Sequence, residues 1–268
     1  MDSKSEETAI APRRSDNFSR RKLLVMRLVF QALPRLLGRS DRSTLLLLLT
    51  PGSSTKNVVG RGDDLCVEAR HRSANTFASV AFEIANPELK LASHTHQPGN
   101  ALRALRLGVP CLVIVRDPID QGVSWREFSA VHQPAGRILR DYIRFYEKVV
   151  PRVEPGRLAI CTFEDITSSP QAITRIANAA LGGDFEHCEY EQAEVRRLAT
   201  RRRQYDVVGR LSAAEREEVE RELRDHRLYP RAVRAHRAAC EVAVSPPAVD
   251  RQPQVRAGEV RLRRVAAG

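Results

Sequence analysis

The stretch of sequence that decides the fold spans residues 64–77 and reads Asp-Leu-Cys-Val-Glu-Ala-Arg-His-Arg-Ser-Ala-Asn-Thr-Phe. The apolar residues between Leu65 and Ala69 are typical of a buried parallel strand, which shows a continuous apolar run rather than alternation. Ser73, Asn75 and Thr76 then offer small polar side chains that can cap a helix. We therefore predict a strand, a tight turn and the start of a helix.

A strand that enters a helix through such a turn points several backbone N–H groups at one place. The helix dipole adds positive potential there, which favours an anionic group and above all a phosphate. Arg72 would supply a full charge and a planar fork of donors at the same place. An ordinary strand-to-helix turn with one solvated arginine would show the same residues, so this stretch alone leaves both interpretations open.

Strands alternate with helices in the rest of the central region. We predict strands at 89–92, 110–115 and 157–162, with helices at 101–107, 119–130, 136–149 and 170–181. This alternation indicates a three-layer α/β fold in which helices cover both faces of a central parallel sheet. Ligands of such folds bind at the carboxyl ends of the strands. After Glu189 only charged helical stretches follow, one of them opened by a capping box at 212–215.

Composition divides the chain into four segments. These are a disordered N-terminus at 1–18, a basic amphipathic helix with a lead-in segment at 19–60, a folded domain at 61–240 and a basic disordered tail at 241–268. The basic helix either packs on its own domain or lies on an anionic membrane surface. No apolar run is long enough for a transmembrane helix.

The charge and the cysteines limit the class of partner and the compartment. A net charge of +11 favours anionic partners such as nucleotides, sulfated or phosphorylated substrates, nucleic acid or an acidic membrane. The five cysteines are widely spaced, with no CxxC and no zinc-type spacing to His. We therefore expect no disulfide framework, no metal site and a reducing, cytoplasmic location, either free or peripheral to the membrane.

A second informative stretch follows the strand at 110–115. Arg116 ends the strand, Pro118 stands at a favoured early helix position, and Ser124 lies two turns further along that helix. Arg116 and Ser124 could hold one phosphate if the strand end and the helix converge. A surface pair between Arg116 and Asp117 is the alternative.

Together the two stretches resemble the PAPS-dependent sulfotransferases, whose fold is related to that of the P-loop nucleotide kinases. In that family a Lys/Arg-Ser-Gly-x-Thr-Trp/Phe turn grips the 5′-phosphosulfate of PAPS (3′-phosphoadenosine-5′-phosphosulfate). A later Arg-x-Pro, with Ser eight residues after the Arg, grips the 3′-phosphate. The resemblance covers about Leu65 to Tyr229 and implies a sulfotransferase domain within 61–240. The PAPS-binding residues that it implies are Arg72, Ser73, Ala74, Asn75, Thr76, Phe77, Arg116 and Ser124.

The catalytic base is implied by a third match. Cytosolic members of the family carry Lys-Thr-His-x-Pro between the two phosphate motifs, and residues 94–98 here read His-Thr-His-Gln-Pro. His96 aligns with the family's general base. His94 aligns with the Lys of the family motif and is the second candidate for the base. Imidazole suits proton removal near neutral pH, although a loop histidine is often merely exposed. Arg72 is the third predicted catalytic residue, because it would neutralise the phosphosulfate.

Three departures from the family pattern matter. Ala74 stands where the turn has Gly, and Arg72 replaces the Lys of the cytosolic phenol and steroid type, which favours a bacterial or carbohydrate-type member. The Arg-Lys-Gly loop of the 3′-phosphate site is absent. It could be replaced from a later arginine run, although such a run is usually a solvated helix face; its members are Arg196, Arg197, Arg201, Arg202 and Arg203.

The predicted activity is in-line transfer of the sulfuryl group of PAPS to an unidentified hydroxyl or amine acceptor, without a metal. A P-loop-type kinase is the nearest enzymatic alternative, but the GxxxxGK[ST] string that it requires is absent. The other alternative is a non-catalytic basic protein that binds a nucleotide, nucleic acid or a membrane surface. Aromatic residues make up only 5% of the chain, which argues against a specific nucleic-acid partner. The sequence predicts no oligomeric state.

Overall fold

The computed structural model describes residues 57–129, 133–202 and 211–247. The predicted basic helix and most of the predicted tail lie outside these residues. The strands are β1 (Leu65–Ala69), β2 (Leu91–Ser93), β3 (Cys111–Val115) and β4 (Leu158–Thr162). The helices are α1 (Asn75–Ala85), α2 (Pro98–Leu107), α3 (Pro118–Phe128), α4 (Ala135–Val149), α5 (Phe163–Ser168), α6 (Pro170–Leu181), α7 (Gln192–Arg202), α8 (Ala213–Asp225) and α9 (Tyr229–Glu241).

Within the part of the chain that the structure describes, four strands form one parallel sheet in the order β2-β1-β3-β4. The expected α/β class with a parallel central sheet is therefore confirmed. The largest shift in a strand boundary is in β2, which was predicted at 89–92. The strand begins at Leu91, because the N–H of Leu89 donates to the carbonyl of Asn86 in the turn that ends α1.

Alternate residues of the strands face two separate apolar cores. Cys66, Val113 and Ile160 belong to the core under α2, α3, α4, α8 and α9. Val67 and Leu112 belong to the core on the other face, under α1, α5, α6 and α7. Both faces of the sheet are covered, which makes the three layers and explains why the strands read as continuous apolar runs.

The chain after α9 returns to the sheet. Ala243 makes a parallel bridge with Ile160 of β4, and the N–H of Val244 donates to the carbonyl of Ile160 at 2.7 Å. The described chain thus pairs with the sheet beyond residue 241, where the basic tail was predicted to begin.

The connections place a crevice between β1 and β3. The chain leaves β1 through α1 on one face of the sheet and leaves β3 through α3 on the opposite face. Neighbouring strands whose connections leave on opposite faces form a topological switch point, where open α/β sheets bind ligands. The turn at Arg72 and the strand end at Arg116 both lie at this point.

Candidate functional site

The turn after β1 has an unusual backbone conformation. Arg72 and Ala74 have φ values of 65° and 62°, in the left-handed region that only glycine adopts without strain. Ala74 is the residue before α1, and no side chain caps the helix. The predicted side-chain caps are therefore wrong. A backbone of this kind can form a concave nest of N–H groups that suits an anion.

The polar side chains that were predicted as caps contact a neighbouring loop instead. Thr76 Oγ1 lies 3.2 Å from Nε2 of His94. In the orientation that satisfies its amide, Asn75 donates to the carbonyl of Val67 at 3.2 Å and accepts from the N–H of His94 at 3.1 Å. Both residues thus fix the start of α1 against the 94–98 loop and leave the first N–H groups of the helix without side-chain caps.

The left-handed Ala74 leads to a stability prediction. Ala74→Gly should raise the free energy of unfolding by about 1 kcal/mol, because glycine removes the strain of a Cβ at positive φ and the position lies outside the helix interior. Ala238→Gly, inside α9, is the matched control and should lower it by about 1 kcal/mol. Urea unfolding of both variants tests this. A loss of stability in Ala74→Gly would show that the turn is not strained.

A cavity of about 510 Å³ opens at the carboxyl ends of β1, β3 and β4. The predicted site residues that line it are Arg72, Ala74, Asn75, Thr76, Phe77, His96, Arg116 and Ser124. Ser73 does not line it, and the whole residue is buried.

The two motif arginines converge within this cavity. Arg72 Nε donates to Oγ of Ser124 at 3.1 Å, and Arg116 Nη1 donates to the carbonyl of Arg72 at 2.7 Å. The guanidinium of Arg116 also lies over the ring of Phe163, 4.2 Å from its centroid. Burial lowers the pKa of Arg116, Arg72 lowers it further and Asp120 opposes the shift. The proposed 5′ and 3′ sites are therefore neighbours joined by hydrogen bonds.

His96 is held at three points by three consecutive residues of the β1 end. Its N–H donates to Glu68 Oε2 at 2.9 Å, its Nδ1 lies 2.8 Å from the carbonyl of Ala69, and its own carbonyl accepts from Arg70 Nη1 at 2.7 Å. Because a carbonyl can only accept, Nδ1 carries the proton of the neutral ring. Nε2 then carries the lone pair that a general base requires.

His94 has a different position. Its Nδ1 lies 2.6 Å from Oγ of Ser93 and its Nε2 lies 3.2 Å from Oγ1 of Thr76. Both ring nitrogens are engaged by hydroxyl groups, and His94 does not line the cavity. Of the two predicted bases, the geometry favours His96, and His94 joins the loop to α1.

Two residues of this region, His71 and Glu68, were not predicted from the sequence as part of the site. His71 stacks on Trp125 with 4.0 Å between ring centroids, and it lies 4.1 Å from the ring of His96. No pattern in the sequence indicated this stack, because the partners lie on different elements. Glu68 was missed as well, although a charged residue within an apolar strand was a signal that could have identified it.

The arginine run after residue 195 is divided between the cavity and the solvent. Arg196 lines the cavity together with Thr200, whereas Arg197 is exposed and pairs with Glu194 at 3.2 Å. Arg203 lies outside the described residues. Arg216 also lines the cavity and pairs with Glu127 at 2.8 Å. Arg196 and Arg216 are thus additional cations at the site.

Within the described ranges, no group of three or more His, Cys, Asp or Glu residues could hold a metal ion. None of the helices described there is long and apolar enough to cross a membrane.

In the comparisons with known proteins, no family model and no curated protein matches this chain.

Proposed function

We propose that this protein is a PAPS-dependent sulfotransferase that transfers a sulfuryl group to a hydroxyl or amine acceptor. The observation that carries the proposal is the convergence of Arg72, Arg116 and Ser124, from two different strand ends, on the cavity that His96 also lines. The α/β fold supports it, because the cavity lies at the switch point of the parallel sheet.

The cavity fits the charge and size of PAPS. A volume of about 510 Å³ lies within the usual range for small-molecule sites. PAPS carries negative charge at its 5′-phosphosulfate and at its 3′-phosphate. The lining contains four guanidinium groups and two carboxylates, and these belong to Arg72, Arg116, Arg196, Arg216, Asp120 and Glu127. The N-terminus of α1 adds backbone N–H donors beside Arg72.

In the proposed reaction, the acceptor oxygen or nitrogen attacks sulfur in line with the bond to the leaving phosphate. The acceptor's proton passes to Nε2 of His96, a new bond to sulfur forms, and the bond between sulfur and the bridging oxygen breaks. Adenosine 3′,5′-bisphosphate leaves. Arg72 and the N–H groups of the turn stabilise the charge that grows on the bridging oxygen, so the proposed step involves no metal.

Arg116 and Ser124 would set the specificity for the nucleotide. A site that binds a 3′-phosphate leaves buried cationic groups unpaired when ATP or AMP binds instead, and such unpaired groups reduce affinity strongly. A non-catalytic nucleotide-binding protein would show the same preference, and the variant of His96 described in the Discussion separates the two.

The first experiment is calorimetric titration of adenosine 3′,5′-bisphosphate, with ATP and AMP as controls. Binding should require the 3′-phosphate. Arg116→Ala and Arg72→Ala should each weaken it by about 1.5–3 kcal/mol, the range for a charged hydrogen bond. Arg234→Ala is the matched control, because Arg234 is exposed on α9 away from the cavity, and it should leave binding unchanged.

The proposed function would be contradicted if adenosine 3′,5′-bisphosphate does not bind, or if ATP binds with the same affinity. Equal losses in Arg116→Ala and Arg234→Ala would show general attraction by a basic surface rather than a site.

A further inference from the structure

Glu68 is a buried carboxylate in the middle of β1, where every other residue of the strand is apolar. It accepts four hydrogen bonds. Three come from the loop after β2, from Thr95 N at 3.1 Å, Thr95 Oγ1 at 2.8 Å and His96 N at 2.9 Å, and the fourth comes from Asn100 Nδ2 at 2.8 Å. A buried charge in a core strand is costly, and here three of its four hydrogen bonds hold one loop.

The loop that Glu68 binds is strained. His94 and His96 have φ values of 72° and 55°, both in the left-handed region, with Thr95 between them. Residues other than glycine adopt left-handed backbone angles only where the surrounding structure compensates for the strain. The N–H groups of Thr95 and His96 converge on the Glu68 carboxylate, as the N–H groups of a nest converge on an anion. Glu68 is thus an internal anion for this loop.

We propose that Glu68 is a positioning residue whose ionised carboxylate holds the 94–96 loop in the conformation that presents Nε2 of His96 to the cavity. Two neighbours complete the arrangement, because the carbonyl of Ala69 fixes the tautomer and Arg70 fixes the carbonyl of His96. The role of His96 as a base rests on the proposed function, whereas its positioning by Glu68 does not.

The charge of Glu68 changes near neutral pH. Burial raises its pKa to about 7, and the hydrogen bonds from Asn100, Thr95 and His96 oppose this rise. Three of the four partners are N–H groups, which can only donate, and this suits the ionised form. Protonation of Glu68 as the pH falls through about 7 therefore removes the charge that strengthens these hydrogen bonds to the loop. The titratable residues that interact with Glu68 are Cys66, Arg70 and His96. Beyond them, Arg70 interacts with Asp141, Arg144 and Tyr146, Cys66 interacts with Cys111 and Asp63, and His94 precedes Thr95 on the loop.

The test is an amide titration of the full chain by ¹H–¹⁵N NMR from about pH 5 to 9. The N–H signals of Thr95 and His96 should move together with a midpoint near 7, the pKa of Glu68. Glu68→Gln should abolish this movement and leave both signals near their acidic positions in the wild type. Glu88→Gln, at an exposed site just after α1, is the matched control and should titrate like the wild type.

The variant His96→Gln distinguishes the titration of Glu68 from that of the His96 imidazole. In this variant the Thr95 amide signal should still titrate. ¹⁵N shifts of the ring give a second measurement. Neutral His96 should carry its proton on Nδ1 in the wild type, and the Nε2–H tautomer should appear in Glu68→Gln.

The proposal is overturned if the Thr95 and His96 amides do not titrate in the wild type, or if they titrate unchanged in Glu68→Gln. If Glu68→Gln does not fold, His96→Gln decides instead, and a Thr95 amide that does not titrate in that variant overturns the proposal. Adenosine 3′,5′-bisphosphate is then added to the same samples. If the amides titrate as expected but the nucleotide does not bind, the proposed function is contradicted and the positioning role of Glu68 is not.

Discussion

Replacing Arg70 with alanine is expected to lower the free energy of unfolding by about 3 kcal/mol. The side chains of Arg70 and Asp141 are only 5% and 8% exposed, with 3.7 Å between Nη2 and Oδ2. Burial lowers the pKa of Arg70 and the carboxylate of Asp141 opposes this shift. Removing one partner of a buried ion pair costs about 3–5 kcal/mol, because the other charge stays buried. We expect the lower end, since Arg144 also lies 3.5 Å from Asp141.

Urea unfolding of Arg70→Ala measures this effect as a lower transition midpoint. Arg140→Ala is the matched control, because Arg140 is exposed on α4 beside Asp141, and it should change stability by less than about 0.5 kcal/mol. The double variant Arg70→Met with Asp141→Asn should recover most of the loss, since no buried charge is then left unpaired. Equal stability of Arg70→Ala and Arg140→Ala would show that the buried pair does not support the fold.

Replacing His96 with alanine is expected to lower sulfuryl transfer by about 10²- to 10⁴-fold, the usual contribution of a positioned acid–base group. Binding of adenosine 3′,5′-bisphosphate should remain, because the proposed phosphate contacts come from Arg72, Arg116 and Ser124. This combination distinguishes an enzyme from a nucleotide-binding protein. The rate is measured as release of adenosine 3′,5′-bisphosphate from PAPS with a panel of a phenol, a sugar, a long-chain alcohol and an amine.

His94→Asn is the matched variant, because His94 lies on the same loop but outside the cavity lining. Its loss of rate should be smaller than that of His96→Ala, and it should be accompanied by lower stability, since the contacts to Ser93 and Thr76 are removed. If His96→Ala keeps the full rate of sulfuryl transfer, or if His94→Asn loses more of that rate than His96→Ala does, His96 is not the general base.

Much of the fold follows from local sequence patterns. The apolar run of β3, the proline at the start of α3 and the capping box at Ser212 are short-range signals, and each was found where predicted. In the capping box, Ser212 Oγ accepts from Glu215 N at 3.3 Å and Glu215 Oε2 accepts from Ser212 N at 2.7 Å. Such signals depend on neighbours along the chain, so one sequence is sufficient to recognise them.

The details of the site depend on contacts between distant residues. The polar residues after Ser73 suggested helix caps, but Asn75 and Thr76 bind the loop of His94, which only the parallel pairing of β1 with β2 brings near. The same pairing brings Glu68 to the amide of His96. Most of the predicted site residues line the cavity, whereas Ser73 and His94 do not, and Arg216 was not predicted. The way in which each residue is held required the structure.

The pairing of the chain after α9 with β4 has a consequence for self-association. An open sheet edge is a template on which another chain can add a strand, and such edges promote aggregation. Among the described residues, the outer strand β2 is only three residues long, and Ala243 and Val244 already occupy the other edge at Ile160. Shortening the chain before Ala243 would expose that edge of β4. The few residues after α9 thus protect the sheet of this protein against pairing with its own copies.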